Sequence, residues 1–269
     1  MATTVTYKGQ TLATVENQTK TLQTAGTWVE DDFTLTDVTQ GGGLTVADII
    51  ERNITGDVVY DGTNTLPAYC FNSTKITSFT ASRASFGGGF IFTGCAQLTS
   101  ISMPLNSSTS ESLQWMMANC PNLTTVELPN LRHLGESAFQ NDTSLANIAL
   151  PSILRAPNRC FQNCTSLVSV DLGNPDRTNQ NTFNGCTSLT NLIIRRTSSV
   201  CALTNINVFN NTPFASGGTG GTVYVPQALI SSYQTASNWS TILGYSTNSI
   251  QTIEGSQYEN YYADGTVIA

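Results

Sequence analysis

Seven cysteines, one histidine, 18 carboxylates and an abundance of serine and threonine are the material from which this 269-residue chain would have to build a reactive site. Metal and redox chemistry need ligands or thiols at close, matched spacing. Cys160 and Cys164 are separated by three residues where a zinc or dithiol pair uses two, and His133 has no second histidine to complete a ligand set. A serine nucleophile needs a base, and His133 lies outside any nucleophile-elbow pattern, so the sequence suggests no triad. The expectation is a protein with no metal, no cofactor and no catalytic residues. Seven is an odd number, so at least one thiol has no intrachain disulfide partner.

What the cysteines do share is a position in a repeat. Cys95, Cys120, Cys164 and Cys186 each fall three residues after an apolar anchor, and Asp142 takes that slot in the unit between. The phrase is clearest in Phe139-Gln-Asn-Asp-Thr-Ser-Leu145, Phe161-Gln-Asn-Cys-Thr-Ser-Leu167 and Phe183-Asn-Gly-Cys-Thr-Ser-Leu189, and it runs outward in degraded form to anchors at Phe71, Phe92, Met117 and Phe209. Each unit ends on an alternating apolar pair, as in Leu123-Thr-Thr-Val126-Glu-Leu128 and Leu167-Val-Ser-Val170-Asp-Leu172, which predicts a short strand with one buried face. Pro104, Pro129 and Pro151 follow three of these strands and end them by withholding a ladder donor. One unit buries only four or five side chains, worth roughly 1.5–3 kcal/mol each, so its core must be completed by stacked neighbours. The fold class expected is β-rich with a minor helical part: a solenoid of short parallel strands, in which the cysteines form an inward column.

The pattern Phe-x-Gly/Asn-Cys-Thr-Ser-Leu-Thr-x-Ile/Val-x-Leu-Pro resembles the BspA-like leucine-rich repeats over about residues 65 to 225, most closely in the units at Phe161 and Phe183. The resemblance implies a right-handed, curved leucine-rich-repeat solenoid of the kind found in surface or virion proteins that adhere to something. It implies no chemistry.

Composition excludes other partners. With 11 Lys and Arg against 18 Asp and Glu, a net charge of −7 and Arg195-Arg196 as the one basic pair, read as a solvated turn, the surface would repel nucleic acid and anionic membrane. No window approaches the length of a spanning helix, and Met1-Ala-Thr-Thr-Val5 has neither the basic start nor the apolar run of a secretory signal. A virion component released by lysis fits those ends better than a secreted adhesin.

Outside the repeats the chain divides into further parts. Residues 1–40 read as a small β module for anchoring or oligomerisation: Val5-Thr-Tyr7 and Thr11-Leu-Ala-Thr-Val15 flank a hairpin turn at Lys8-Gly9-Gln10, and Trp28–Leu35 supplies another strand or two around Asp31-Asp32. Thr6–Leu12, Lys20–Gly26 and Glu30–Leu35 resemble an amino-terminal module of structural proteins in phages and prophages of Gram-positive bacteria, which implies attachment to other virion proteins. Residues 41–64 are a linker, Gly41-Gly-Gly43, followed by a helix over Thr45–Arg52 that caps the open end of the repeats. The repeats occupy 65–221. Gly87-Gly88-Gly89 lacks the lysine of a phosphate loop and reads as a turn, and Trp115 reads as core. Residues 222–269 form a strand-helix cap and tail, with a strand at Thr222–Val225 and a helix over Pro226–Ser237, an ending that resembles other BspA-like proteins.

Function is then expected on the strand surface. Residues flanking the buried middle of each strand point outward and stack at about 4.8 Å into two columns: Ser78, Ser100, Thr125, Asn147, Ser169, Asn191, and Thr80, Ser102, Glu127, Ala149, Asp171, Ile193. Ser100, Ser102, Thr125, Glu127, Asn147, Ser169, Asp171 and Asn191 are the candidate contact residues for a bacterial surface glycan or protein receptor. Glu127 and Asp171 lie two coils apart, roughly 10 Å, just beyond the roughly 6.5–9.5 Å of an inverting glycosidase, and on an open sheet nothing should raise an acid's pKa. The expectation is a non-enzymatic phage virion protein, a tail or head appendage whose repeats adhere, with a homo-oligomer among its expected partners. A bacterial cell-surface adhesin and a capsid decoration protein are the alternatives.

Overall fold

The computed structural model describes residues 3–7, 10–15, 33–35, 55–60, 65–66, 68–82, 84–106 and 113–268. Strands β1 (Thr3–Tyr7) and β2 (Gln10–Val15) pair antiparallel, as the hairpin reading expects, and β3 (Phe33–Leu35) lies parallel to β4 (Thr55–Tyr60). The expected helix over Thr45–Arg52, the Gly41–Gly43 joint and Trp28–Asp32 lie outside the described residues.

From β4 onward the chain climbs as a solenoid. Strand β4 is followed by β5 (Thr65–Leu66), β6 (Lys75–Ala81), β7 (Ser85–Phe86), β8 (Ser100–Ser102) and β9 (Thr125–Glu127). Then come β10 (Asn147–Leu150), β11 (Ser169–Leu172), β12 (Arg177–Thr178), β13 (Asn191–Ile194), β14 (Ala202–Leu203), β15 (Thr222–Val225) and β16 (Ser249–Thr252). One parallel sheet runs β3-β4-β6-β8-β9 and a second β10-β11-β13-β15-β16, while β5–β7 and β12–β14 make short parallel ladders elsewhere on the coils. This is the leucine-rich-repeat architecture expected.

Each coil turns for a reason legible in its residues. The second residue after every anchor has positive φ: Ser73, Gly94, Asn119, Asn141, Asn163, Gly185 and Asn211, at +56° to +74° apart from Gly185 at +81°. Asparagine and glycine tolerate that left-handed backbone best, which explains their alternation in the Phe-x-Asn/Gly phrase. The asparagines also chain together, with Asn141 Nδ2 donating to Asn119 Oδ1 at 2.8 Å and Asn163 Nδ2 to Asn141 Oδ1 at 3.0 Å. Inside, the anchors stack face to face: Phe139–Phe161, Phe161–Phe183 and Phe183–Phe209 have ring centroids 5.4, 5.6 and 5.6 Å apart, all fully buried. Coils come so close that a Cβ on Gly173 would lie 1.6 Å from the Pro151 carbonyl oxygen, so only glycine fits there.

The thiols are buried in one column as expected, but they also bond. Cys95 Sγ donates to the Phe71 carbonyl at 2.9 Å, Cys120 to Phe92 at 3.1 Å, Cys164 to Phe139 at 3.0 Å and Cys186 to Phe161 at 2.9 Å. Thus each ties its coil to the anchor of the one before. All seven cysteines are free and buried.

Two expectations change. Trp115 is not core: it is half-buried at a positive-φ position and stacks on Phe90 at 6.4 Å, as Phe90 does on Tyr69 at 4.8 Å, because the second residue before the anchor points outward. The helix over Pro226–Ser237 is reduced to a 3-10 turn at Gln227–Leu229 and α1 (Ile230–Thr235), and a further short helix, α2 (Trp239–Leu243), follows it. This cap closes the last coil with fully buried aromatics: Trp239 Nε1 donates to the Cys201 carbonyl at 2.6 Å and the Cys201 amide to Tyr233 Oη at 3.0 Å. No described helix is long and apolar enough to cross a membrane.

Candidate functional site

The two outer columns form in the register expected. Ser78, Ser100 and Thr125 are aligned in one sheet, and Asn147, Ser169 and Asn191 in the other, where Thr222 and Ser249 extend the row. The second column aligns Thr80, Ser102 and Glu127, then Ala149, Asp171, Ile193, Tyr224 and Gln251. Neighbours bond along the columns: Ser102 Oγ donates to Glu127 Oε2, Asn191 Nδ2 to Ser169 Oγ at 3.2 Å, and Thr222 and Ser249 share a bond at 2.8 Å.

Accessibility splits the candidate residues into two groups. Thr125, Glu127 and Asn147 are exposed and Ser100 and Ser102 half-buried, so the strip over β8, β9 and β10 is open. Ser169 and Asp171 are not: they are 5% and 0% exposed, and Asn191 is half-buried. At Asp171 the reason is the carboxyl-terminal tail, which the repeat pattern does not specify and which folds back across the strand face, while Ser169 accepts from Asn191 on the next strand. Ile193, Ile253 and Tyr258 pack together there, with Tyr224 set edge-on to Tyr258 at 4.7 Å.

Arg195 holds this arrangement. Its guanidinium bonds both carboxylate oxygens of Asp171, at 2.6 to 3.0 Å, and donates to the Tyr258 and Tyr261 carbonyls at 3.0 Å each. It also lies 4.9 Å from the centre of the Tyr262 ring. Arg195 is therefore no solvated turn residue. Burial pushes the Asp171 carboxyl up to about 6, opposed by the bonds and charge of Arg195, so the open-sheet expectation of an unperturbed acid is overturned there. With both oxygens held and the tail over it, Asp171 has no free edge to offer a substrate. Arg195 and Tyr258 carried no repeat signal: they meet from 63 residues apart.

Beside the open strip, the tail and strands enclose a groove of about 320 Å³ lined by Glu127, Leu128, Pro129, Ala149, Pro151 and the tail residues Tyr262, Asp264, Thr266 and Val267. A second, smaller cavity holds His133 with Glu136 and Arg155. Among the described residues no three His, Cys, Asp or Glu side chains gather where they could hold a metal.

A family model for the BspA-type leucine-rich repeat region, in six copies, matches residues 64–190 and 116–217, more than half of the chain. Among solved structures, a leucine-rich repeat protein from Bacteroides ovatus is similar at 20% identity and a TM-score of 0.43, over 55% of this chain and 42% of that one. The chain thus spans less than half the length of that protein. No curated protein matches it.

Proposed function

Because the chain belongs to the BspA-type leucine-rich repeat proteins, we propose that it is a non-enzymatic adhesion protein whose open strand face, at Ser100, Ser102, Thr125, Glu127 and Asn147, contacts a bacterial surface glycan, mucosal or protein receptor. The observation that carries this reading is the uncovered strip itself. It sets short hydrogen-bonding side chains one coil apart along β8 and β9 and, where one sheet gives way to the next, on β10, an array that meets a repeating partner at several points without reorganising. Ser169, Asp171 and Asn191 belong to the same columns, but Ser169 and Asp171 are buried and Asn191 is half-buried and bonded to Ser169, so the contact is centred on β8 to β10. The carrier we propose is a phage particle, with residues 1–40 held by other virion proteins, on the resemblance of that stretch to phage structural modules. A bacterial cell surface is the other carrier, favoured by the family.

The test is adsorption of the labelled full chain to bacterial cells and to immobilised mucin, comparing Thr125→Ala/Asn147→Ala with the parent. Loss of three or four hydrogen bonds worth about 1 kcal/mol each predicts a fall of roughly 100- to 1,000-fold in retention with the fold unchanged by circular dichroism. Equal retention by the folded variant would remove the strand face from the reading. Immunogold labelling of particles and of host cells decides the carrier.

A further inference from the structure

We propose that the groove between β9, β10 and the tail is a docking site for a basic side chain, lysine or arginine, of a partner polypeptide; this rests on the strand-face reading and names what that face grips. The floor and walls have the chemistry of that side chain. Leu128 and Ala149 are buried beneath, and Pro129 and Pro151, half-buried, make an apolar bed for a methylene stem. Glu127 stands on the strand side and Asp264 on the tail side, so a cation at the end of the stem meets a carboxylate from each.

Neither carboxylate is neutralised already. Glu127 Oε2 accepts from Ser102 Oγ, and Asp264 Oδ1 accepts from the Thr266 amide and hydroxyl at 3.0 and 2.7 Å. Among the described residues neither forms an ion pair, and none of the groove's lining residues is cationic. The cation set against the groove's Tyr262 is spent: Arg195 bonds Asp171 and two tail carbonyls. Tyr262, whose ring takes the Arg195 guanidinium at 4.9 Å, completes the wall on the tail side. The tail therefore has two parts in this region: it covers β11 and β13, and its far edge completes the groove over β9 and β10.

The experiment uses the full chain and a fluorescent octapeptide of alternating lysine and glycine, followed by anisotropy at low salt. Binding is expected, and Glu127→Gln with Asp264→Asn should weaken it about tenfold or more, since both substitutions keep the acceptor oxygens used by Ser102 and Thr266 while removing the charges. Removing the same charge elsewhere, by Asp176→Asn with Glu136→Gln, should change it by about twofold at most. Equal losses in the two pairs would reduce the effect to general attraction by an acidic protein and overturn the site. So would undiminished binding of the Nε-acetylated peptide, or no binding by the parent chain. Competition by a glucosamine oligomer as effective as the lysine peptide would replace the polypeptide partner with an amino sugar. If the peptide binds as stated while cells and mucin are ignored, the adhesion reading fails alone; if adhesion depends on Thr125 and Asn147 but the peptide does not bind, the groove fails alone.

Discussion

Asp142 is the residue at which the repeat departs most from its own rule. Its slot holds Cys95, Cys120, Cys164 and Cys186 elsewhere, each donating to an anchor carbonyl, and the slot could be read from the sequence as an inward column. What spacing could not reveal is that these side chains bond, or that Asp142 is 0% exposed with Oδ1 accepting from the Cys120 amide at 2.8 Å and Oδ2 unpartnered. Burial drives its carboxyl well above the ordinary range, reinforced by Cys164 and opposed by the Cys120 amide. A proton on Oδ2 would allow it to donate as the thiols do. The raised folded value means that this stabilisation is complete below the ordinary carboxylate pKa and is lost as pH rises through the folded one. Thermal melts of the parent should therefore fall as pH rises above the ordinary carboxylate range. Asp142→Asn, which keeps the acceptor and supplies a permanent donor, should flatten that dependence and exceed the parent at the alkaline end by about 1–3 kcal/mol.

At the scale of elements, the strands were legible and the tail was not. The apolar pairs Val126 and Leu128 or Val170 and Leu172 announce strands because every coil repeats them, and one coil predicts the next. The segment from Ile253 to Val267 has no such neighbours, and its docking depends on Arg195 and Tyr224, whose partners lie far away in sequence. That is why Asp171 could be placed in an outward column yet not recognised as covered. Asp171 couples the tail to pH. Its pKa, about 6 in the docked state through burial, stands above its ordinary value, with Arg195 pulling it down and Asp264 pushing it further up. Docking should thus tighten as pH falls through about 6 and be tightest below about 4, where the proton is held in either state. Hydrogen exchange of the Tyr258–Thr266 amides, corrected for intrinsic rate, should show protection rising on acidification in the parent and no such rise in Asp171→Asn. Arg195→Ala should release the same amides at every pH, and unchanged protection there would dismiss the clamp.

Taken whole, the protein is a stack of layers each held by the next, so its stability is nearly a sum over coils and their interfaces. Removing one complete coil, Phe139 to Cys160, joins Ala138 to Phe161 and brings Pro129 to the place Pro151 holds beneath Gly173. The shortened chain should unfold in a single transition within about 5 °C of the parent, whereas deleting half a coil should abolish cooperative melting. Calorimetry distinguishes the two. The sealed thiol column carries a consequence for where such a molecule can travel. Cys70, Cys120, Cys160, Cys164 and Cys201 are pushed upward by their surroundings, Cys201 to about 12, while Cys95 is drawn down by its bonds to Cys120 and Thr74; with every sulfur screened from solvent, glutathione and oxygen find little to reach. Passage from a reducing cytoplasm to open air should leave its covalent structure as it was made, with no oxidative maturation to wait for.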